Sequence, residues 1–235
     1  MNAVNTTSRL LGVAFLFQFV TSFSSGVFLK QTWFVPGNMG ATMLKIADNS
    51  ALMRTYILLD MFTALGVIFL GVMLYLTLRN QSEPIALTAL TCYVLEGALL
   101  AASRTEAFAL VRFSQEYAAG QSAVLLKMGQ VAYESMEFVG VTLHMLAFCL
   151  GAILFYSLLY TSGVVPRPLV LWGLIAIIPL LIGTVTHIVG YTLPFVLYLP
   201  YVPFELVIAI WILLTGMPAE MPSLGNNPGS APYRT

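Results

Sequence analysis

Five long stretches of this sequence carry at most one charged side chain each. They are residues 10–29, 55–78, 84–103, 138–166 and 168–204. Crossing about 30 Å of hydrocarbon takes about 20 apolar residues, so each stretch is long enough to span a bilayer. Charged residues make up 9% of the 235 residues, whereas a soluble chain carries about 25%. The sequence therefore predicts an integral membrane protein in contact with the lipid bilayer.

Proline residues and polar turns divide these stretches into six predicted transmembrane helices, since prolines break the last stretch into a helix, a loop and a short final span. The predicted spans are residues 9–29, 51–79, 84–112, 124–161, 168–190 and 200–217. We expect one all-α domain over residues 1–217, a six-helix bundle, followed by a polar Pro- and Gly-rich tail over residues 218–235. The first span is expected to be retained, because its apolar run is long for a signal peptide.

Six spans would return the chain to the side on which it starts, here called side A; the opposite side is side B. The fourth span would be about 55 Å long if it were continuous, so it is expected to protrude from the membrane on side B. The connection over residues 30–50 lies on that side too, with an amphipathic piece that carries Met39 and Met43. Basic residues divide nearly evenly between the two sides and leave the orientation open.

Ionisable side chains within the predicted spans gather in the half of the bundle toward side B. An ionisable group at the centre of a membrane helix costs at least about 2.5–3.5 kcal/mol, so each one calls for a partner or a function. The candidate site residues among them are Asp60, Glu96, Arg104, Glu134, Glu137, His144, His187 and Glu205. Residues seven apart share one face of a helix, and Glu137, His144 and Gly151 lie on such a stripe. We therefore expect a polar, ionisable pocket in this half.

Two interpretations of the buried charges involve no cofactor. In the first, the charges form a purely structural network in which Asp60, Glu96 or Glu137 pairs with Arg104 and Arg54. His187 would then donate a hydrogen bond to a carbonyl at a helix end. In the second, they line a pocket that binds or senses a small polar or amphiphilic molecule. The pocket hypothesis takes all eight ionisable residues as candidates.

Two further alternatives require a cofactor or a partner. The chain could be a metal- or haem-dependent membrane enzyme or redox protein, with His144 and His187 as ligands of haem or a transition metal. Glu137 is the third candidate metal ligand. The other alternative is an accessory subunit of a larger membrane complex, or a homo-oligomer, in which a partner holds the polar tail.

Several classes of protein are excluded by missing motifs. No Glu-x-x-His, His-x-x-x-His or His-Glu-x-x-His occurs, which excludes di-iron carboxylate bundles, histidine-box oxygenases and zincins. No Gly-x-Ser-x-Gly, Walker A or dinucleotide fingerprint is present. The 10 basic residues are balanced by 10 acidic ones, which argues against a nucleic-acid partner. Whether the chain catalyses any reaction is left open by these patterns.

Four segments, in this order, resemble a family of uncharacterised bacterial integral-membrane proteins described only as a domain of unknown function. They are LLDMFTALGVIFLGVMLYLTLR (58–79), YVLEGALLA (93–101), SGVVPRPLVLWGLI (162–175) and PFELVIAIWILLTG (203–216). The resemblance implies a six-helix bundle in the bacterial cytoplasmic (inner) membrane with both termini in the cytoplasm. Side B would then be the outer face. The resemblance supplies no activity, cofactor or catalytic residue.

Overall fold

Nine α-helices account for most of residues 6–191 and 194–216, the part of the chain that this computed structural model describes. They are α1 (Thr6–Phe23), α2 (Lys30–Trp33), α3 (Met39–Asp48), α4 (Ser50–Leu78), α5 (Glu83–Gly120), α6 (Ala123–Glu137), α7 (His144–Ser162), α8 (Arg167–Ile188) and α9 (Tyr201–Thr215). A first π-helical segment, Ser24–Leu29, continues α1 into α2, and a second, Phe138–Leu143, joins α6 to α7. The predicted tail over residues 218–235 lies outside the described residues.

Five helical stretches of the described chain are long and apolar enough to cross a membrane. They are Arg9–Trp33, Ser50–Leu78, Glu83–Gly120, Ala123–Ser162 and Arg167–Ile188. Helix α9 is also apolar, but its 15 residues are fewer than the roughly 20 that an upright span requires. Large apolar side chains such as Leu65, Ile175 and Leu214 are exposed on the outside of these helices. The chain is therefore a helical membrane protein whose outer surface suits lipid.

Local sequence explains where several helices begin and end. The Asn38 side chain caps α3 by accepting a hydrogen bond from the Ala41 N–H at 2.9 Å, which satisfies one of the unpaired donors of the first turn. Pro84 stands in the first turn of α5, where its missing N–H costs no helical hydrogen bond. Gly163 ends α7 with φ at +64°, a conformation that glycine adopts without strain.

Helix α5 continues to Gly120, well past its predicted end at Arg112. Ser114 and Tyr117 in this extension are buried, and α5 packs against α3 and α6. At about 1.5 Å per residue, the 38 residues of α5 extend for ~57 Å. The 40 residues from Ala123 to Ser162 reach ~60 Å. The structure thus has two very long helical stretches where one was predicted.

Contacts in chain order link six of the described helices. Helix α1 packs on α4, α4 on α5, α5 on α7, α7 on α8, α8 on α9, and α9 returns to α1. Glycines allow two of these contacts to be close: a Cβ on Gly12 would lie 2.7 Å from the Leu213 backbone nitrogen, and the Phe204 ring occupies the space beside Gly173. Small residues permit such approaches between membrane helices. The contacts therefore close a ring that surrounds the interior.

Two apolar clusters fill that interior at different heights. The main core is packed from α1, α4, α5, α7, α8 and α9, with Tyr93 and Phe155 among its fully buried rings. The side-B core is packed from α2, α3, α4, α5 and α6, around Trp33 and Met43. The predicted amphipathic piece is helix α3, and it contributes Met43 and Ile46 to this second core. Helices α4 and α5 run through both cores and hold them together.

Candidate functional site

A layer of polar side chains lies between the two apolar cores. On α4 the layer lies between Tyr56 of the side-B core and Val67 of the main core. On α5 it lies between Ala107 of the side-B core and Tyr93 of the main core. The polar layer is defined here as Gln18, Ser25, Lys30, Asp60, Glu96, Ser103, Arg104, Glu137, Thr142 and His144. Because an unpaired polar group at this depth costs free energy, the partners of each member decide what the layer can do.

The centre of the polar layer is an ion pair between Asp60 on α4 and Arg104 on α5. Arg104 Nη1 donates to Asp60 Oδ2 at 2.6 Å, and the two residues are 5% and 4% exposed. The second carboxylate oxygen of Asp60 accepts a hydrogen bond from the Ser25 hydroxyl. This pairing is one of those expected for a structural network, and the prediction is confirmed.

The remaining groups of Arg104 are also engaged. Its Nε and Nη2 donate to the Ser103 hydroxyl at 3.0 and 2.8 Å. The guanidinium carbon lies 5.0 Å from the centre of the Tyr56 ring, within the range of a cation–π contact. Gly140 packs directly against Arg104 and Ser103, where no Cβ would fit. Arg104 is therefore held by contacts on several sides and is committed to Asp60.

Both π-helical segments border this ion pair. The first contains Ser25, which bonds Asp60, and the second contains Gly140, which contacts Arg104. A π turn inserts extra backbone into a helix and rotates the residues that follow it, and such turns occur frequently at functional sites. The predicted stripe on the fourth span assumed an uninterrupted α-helix. The second π segment lies within that stripe, between Glu137 and His144.

Glu137 belongs to a second ion pair, with Lys30. The two side chains are 22% and 24% exposed, and the Lys30 ammonium also lies 5.6 Å from the Phe34 ring and 5.8 Å from the Tyr133 ring. One carboxylate oxygen of Glu137 binds Lys30, and the other is buried without a hydrogen-bond partner. The Glu137 side chain is thus bonded to Lys30, the first residue of α2.

A cavity of about 440 Å³ lies among the helices α1, α5, α7, α8 and α9. Its wall is formed by Gln18, Phe19, Ser22, Phe23, Glu96, Val141, Thr142, His144, Met145, Phe148, Leu180, Gly183, Thr184, His187, Tyr198, Tyr201, Val202 and Glu205. Most of these residues lie on the side-B halves of their helices. The wall combines phenylalanine and tyrosine rings with a small number of polar groups, a composition typical of small-molecule sites.

Three of the residues that line the cavity each have a buried polar atom without a hydrogen-bond partner in the described chain. These atoms are Gln18 Oε1, Glu96 Oε2 and His144 Nδ1. Gln18 is 8% exposed and Glu96 is 4% exposed, so neither side chain reaches bulk solvent. An unsatisfied buried group costs about 1–3 kcal/mol. The cavity therefore concentrates hydrogen-bonding capacity that the protein itself does not use.

The eight predicted site residues divide into two sets. Glu96, His144, His187 and Glu205 line the cavity, and the other four do not. Asp60 and Arg104 pair with each other, Glu137 pairs with Lys30, and Glu134 is exposed and accepts a hydrogen bond from Gln130 at 2.8 Å.

The two histidines differ in their surroundings. His144 is half-buried, whereas His187 is exposed, although both were expected to be buried. His187 stands near the end of α8, and its Nδ1 is hydrogen-bonded to the Thr142 hydroxyl at 2.7 Å. Within residues 6–191 and 194–216, no three His, Cys, Asp or Glu side chains come together to hold a metal ion. The metal hypothesis for His144, His187 and Glu137 stays a prediction.

Sequence reasoning missed several polar residues of the cavity and its neighbourhood. Gln18, Tyr198 and Tyr201 line the cavity, and Lys30 neutralises Glu137. Gln18 is polar but not ionisable, so the cost of burying a charge does not single it out within its span. Lys30 follows an uncharged run and looked like a residue at the membrane surface. Its ion pair with Glu137 joins two parts of the chain that are distant in sequence.

The chain belongs to a family described as a domain of unknown function, DUF4386, whose model matches residues 10–216. This confirms the resemblance noted in the four sequence segments, and the match covers all the long helices. No curated protein and no solved structure matches the chain.

Proposed function

We propose that this DUF4386 protein is a polytopic membrane protein that binds or senses a small molecule in the cavity between its helices. The observation that carries the proposal is that Gln18, Glu96 and His144 line one cavity and that each has a buried polar atom without a hydrogen-bond partner in the described chain. Three unsatisfied groups on one wall represent several kcal/mol at about 1–3 kcal/mol each. A ligand that bonds to them recovers that free energy on binding.

The cavity also suits the size and character of a small amphiphilic ligand. Its volume of about 440 Å³ falls within the roughly 300–1,000 Å³ of small-molecule sites. Aromatic side chains of Phe19, Phe23 and Phe148 supply apolar surface, while the three unpartnered atoms supply polar contacts. A molecule with a polar head and an apolar body would satisfy both parts of the wall.

We further propose six membrane spans, with α9 as the last, in the bacterial cytoplasmic membrane with both termini in the cytoplasm. Helix α9 is short, but Val207, Ile210 and Leu214 on its outer surface are exposed and apolar, as a lipid-facing helix requires. The length of α5, and of the stretch from Ala123 to Ser162, supports protrusion of both on side B. The cavity would then lie in the outer half of the bundle.

The binding proposal is tested by filling the cavity. Thr184 is buried on the cavity wall, so Thr184→Trp places a large ring in the space available to a ligand. Val185 is the next residue of α8, is exposed and does not line the cavity, so Val185→Trp is the matched control. Organic extracts of the proteins purified in mild detergent are compared by mass spectrometry. We expect a small molecule to accompany the wild type and Val185→Trp but not Thr184→Trp. Equal extracts from all three would contradict the proposal.

A metal or haem site is the second candidate, because both histidines line the same cavity and His144 Nδ1 is unpartnered. His144, on the deeper part of the wall, would be the principal ligand. Metal analysis and an absorption spectrum of the same preparations test this candidate. Stoichiometric metal or a haem band that disappears in His144→Ala would favour it over binding of an organic molecule.

A further inference from the structure

The described residues of the cavity wall include two glutamates, Glu96 and Glu205, but no lysine or arginine. The nearby basic residues are engaged elsewhere, since Arg104 is bonded to Asp60 and Lys30 to Glu137. Apart from the histidines His144 and His187, the described residues of the wall therefore offer the two carboxyl groups no basic side chain.

Of the two glutamates, Glu96 has the stronger need for a charged partner. It lies near the middle of the membrane-spanning part of α5, is 4% exposed, and its Oε2 has no partner. A carboxylate removed from water without a counter-ion is strongly unfavourable. A cation delivered by a ligand would supply the missing charge, and a charge-assisted hydrogen bond to a carboxylate is among the strongest that proteins make.

The neighbouring groups favour a cation that carries hydrogen-bond donors. Gln18 Oε1 can only accept a hydrogen bond and has no partner in the described chain, and Gln18 lines the same cavity as Glu96. An ammonium group has donors for both oxygens. The rings of Phe19, Phe23 and Tyr201 on the same wall can contribute cation–π contacts and enclose an apolar body.

We infer that the cavity takes a protonated amine with an apolar body, its ammonium bonded to Glu96 and Gln18. The inference rests on the proposed function, because it names the chemical class of the molecule that the cavity binds. The amine could belong to a free amphiphile or to a lipid headgroup, since both present the same donor group.

Three probes with the same apolar body separate the chemical classes: octylamine, octanol and octanoate. The full chain is placed in phosphatidylcholine nanodiscs near neutral pH, and the midpoint of thermal unfolding is measured against probe concentration. We expect octylamine to raise the midpoint in a saturable manner and the other two probes to have little effect. Thr184→Trp should abolish the octylamine response, whereas Val185→Trp should retain it.

Glu96→Gln is the direct test of the charge. It keeps the size of the side chain and removes the carboxylate, so we expect the apparent Kd for octylamine to rise at least about tenfold, the equivalent of one lost charge-assisted contact. Glu134→Gln makes the same change at an exposed position outside the cavity and should leave the Kd unchanged. If Glu96→Gln fails to fold, Gln18→Leu replaces it and should also weaken binding. Unchanged octylamine affinity in the folded variant would overturn the inference.

The outcomes separate failure of the inference from failure of the proposed function. Suppose that octanol or octanoate stabilises the wild type but not Thr184→Trp, and that octylamine stabilises neither protein. The cavity then binds a small molecule, but the amine inference is overturned. If all probes act equally on the wild type and Thr184→Trp, both proposals are overturned. Phosphatidylethanolamine added to the discs competes with octylamine if a lipid headgroup reaches the cavity, and does not compete if only a free amine enters.

Discussion

Arg104 on α5 and Asp60 on α4 form an ion pair in the interior of the helical bundle, with Arg104 Nη1 2.6 Å from Asp60 Oδ2. The pair lies between two apolar cores and is bordered by both π-helical segments. A buried pair adds little net stability over an apolar equivalent, but removing one partner strands a charge. Loss of one partner is therefore expected to destabilise the packing of α4 against α5.

The first prediction concerns the loss of Arg104. Arg104→Met leaves Asp60 buried without its counter-ion, so we expect the free energy of unfolding to fall by about 3–5 kcal/mol. Denaturant unfolding in mild detergent measures the change. Arg112→Met is the control, because Arg112 is exposed on the same helix and its substitution should change stability by no more than about 0.5 kcal/mol. In the double variant Asp60→Leu/Arg104→Met no charge is stranded, so it should be more stable than Arg104→Met alone. A double variant as unstable as the single one would contradict this explanation.

The second prediction concerns a close contact within the second π segment. A Cβ on Gly140 would overlap the Arg104 guanidinium and the Ser103 hydroxyl. We therefore expect Gly140→Ala to destabilise the protein by about 1–3 kcal/mol, the usual cost of overpacking. Gly26→Ala is the matched control, since Gly26 lies in the first π segment and a Cβ there would meet no atom within 4 Å. The same unfolding assay should leave Gly26→Ala near the wild type, and equal losses in both variants would argue against the contact.

The third prediction contrasts the second ion pair with the first. Lys30 and Glu137 are partly exposed, so water and salt screen their attraction. We expect Lys30→Met to cost about 1 kcal/mol or less, and the difference from the wild type to shrink as salt rises. Unfolding measured at low and high salt checks both statements, with Lys45→Met, an exposed position on α3, as the control. A loss as large as that of Arg104→Met would contradict the small contribution expected of this ion pair.

The fourth prediction concerns two tyrosines at the contact between α7 and α9. The hydroxyls of Tyr156 and Tyr201 are hydrogen-bonded at 2.7 Å, and both residues are buried. Tyr201→Phe keeps the ring and removes the hydroxyl, so it leaves the Tyr156 hydroxyl unsatisfied at a cost of about 1–3 kcal/mol. Tyr160→Phe, at an exposed position on α7, should have little effect on the melting temperature. Similar melting temperatures for both variants would contradict the role of the hydrogen bond.

Local sequence predicted the long helices well and some of their ends poorly. The absence of charge over residues 10–29 and 138–166 marks membrane helices directly, because hydrophobicity over about 20 residues is a local sum. The end of α5 was placed too early at Arg112, since the segment up to Gly120 is stabilised by contacts with α3 and α6 rather than by its own composition. A contact between distant elements cannot be deduced from the composition of one of them.

The candidate site was predicted in part. Glu96 and His144 were singled out as costly residues within spans, and both line the cavity. Gln18 was missed because it is polar but not ionisable, although its oxygen is one of the three unpartnered atoms. The separation of Asp60 and Glu137 from the cavity followed from their pairing with Arg104 and Lys30, which only their positions in space reveal.

Membrane insertion and the list of buried ionisable groups follow from the order of residues alone, because burying a charge in hydrocarbon is costly wherever the helix packs. The order of residues alone does not determine which of these polar side chains contact one another. The π segments rotate Ser25 and Gly140 toward one ion pair, and the ring of helices leaves Gln18, Glu96 and His144 around one cavity. Such pairings depend on the rotation of each helix against its neighbours, a property of the packed bundle that no single stretch of sequence contains.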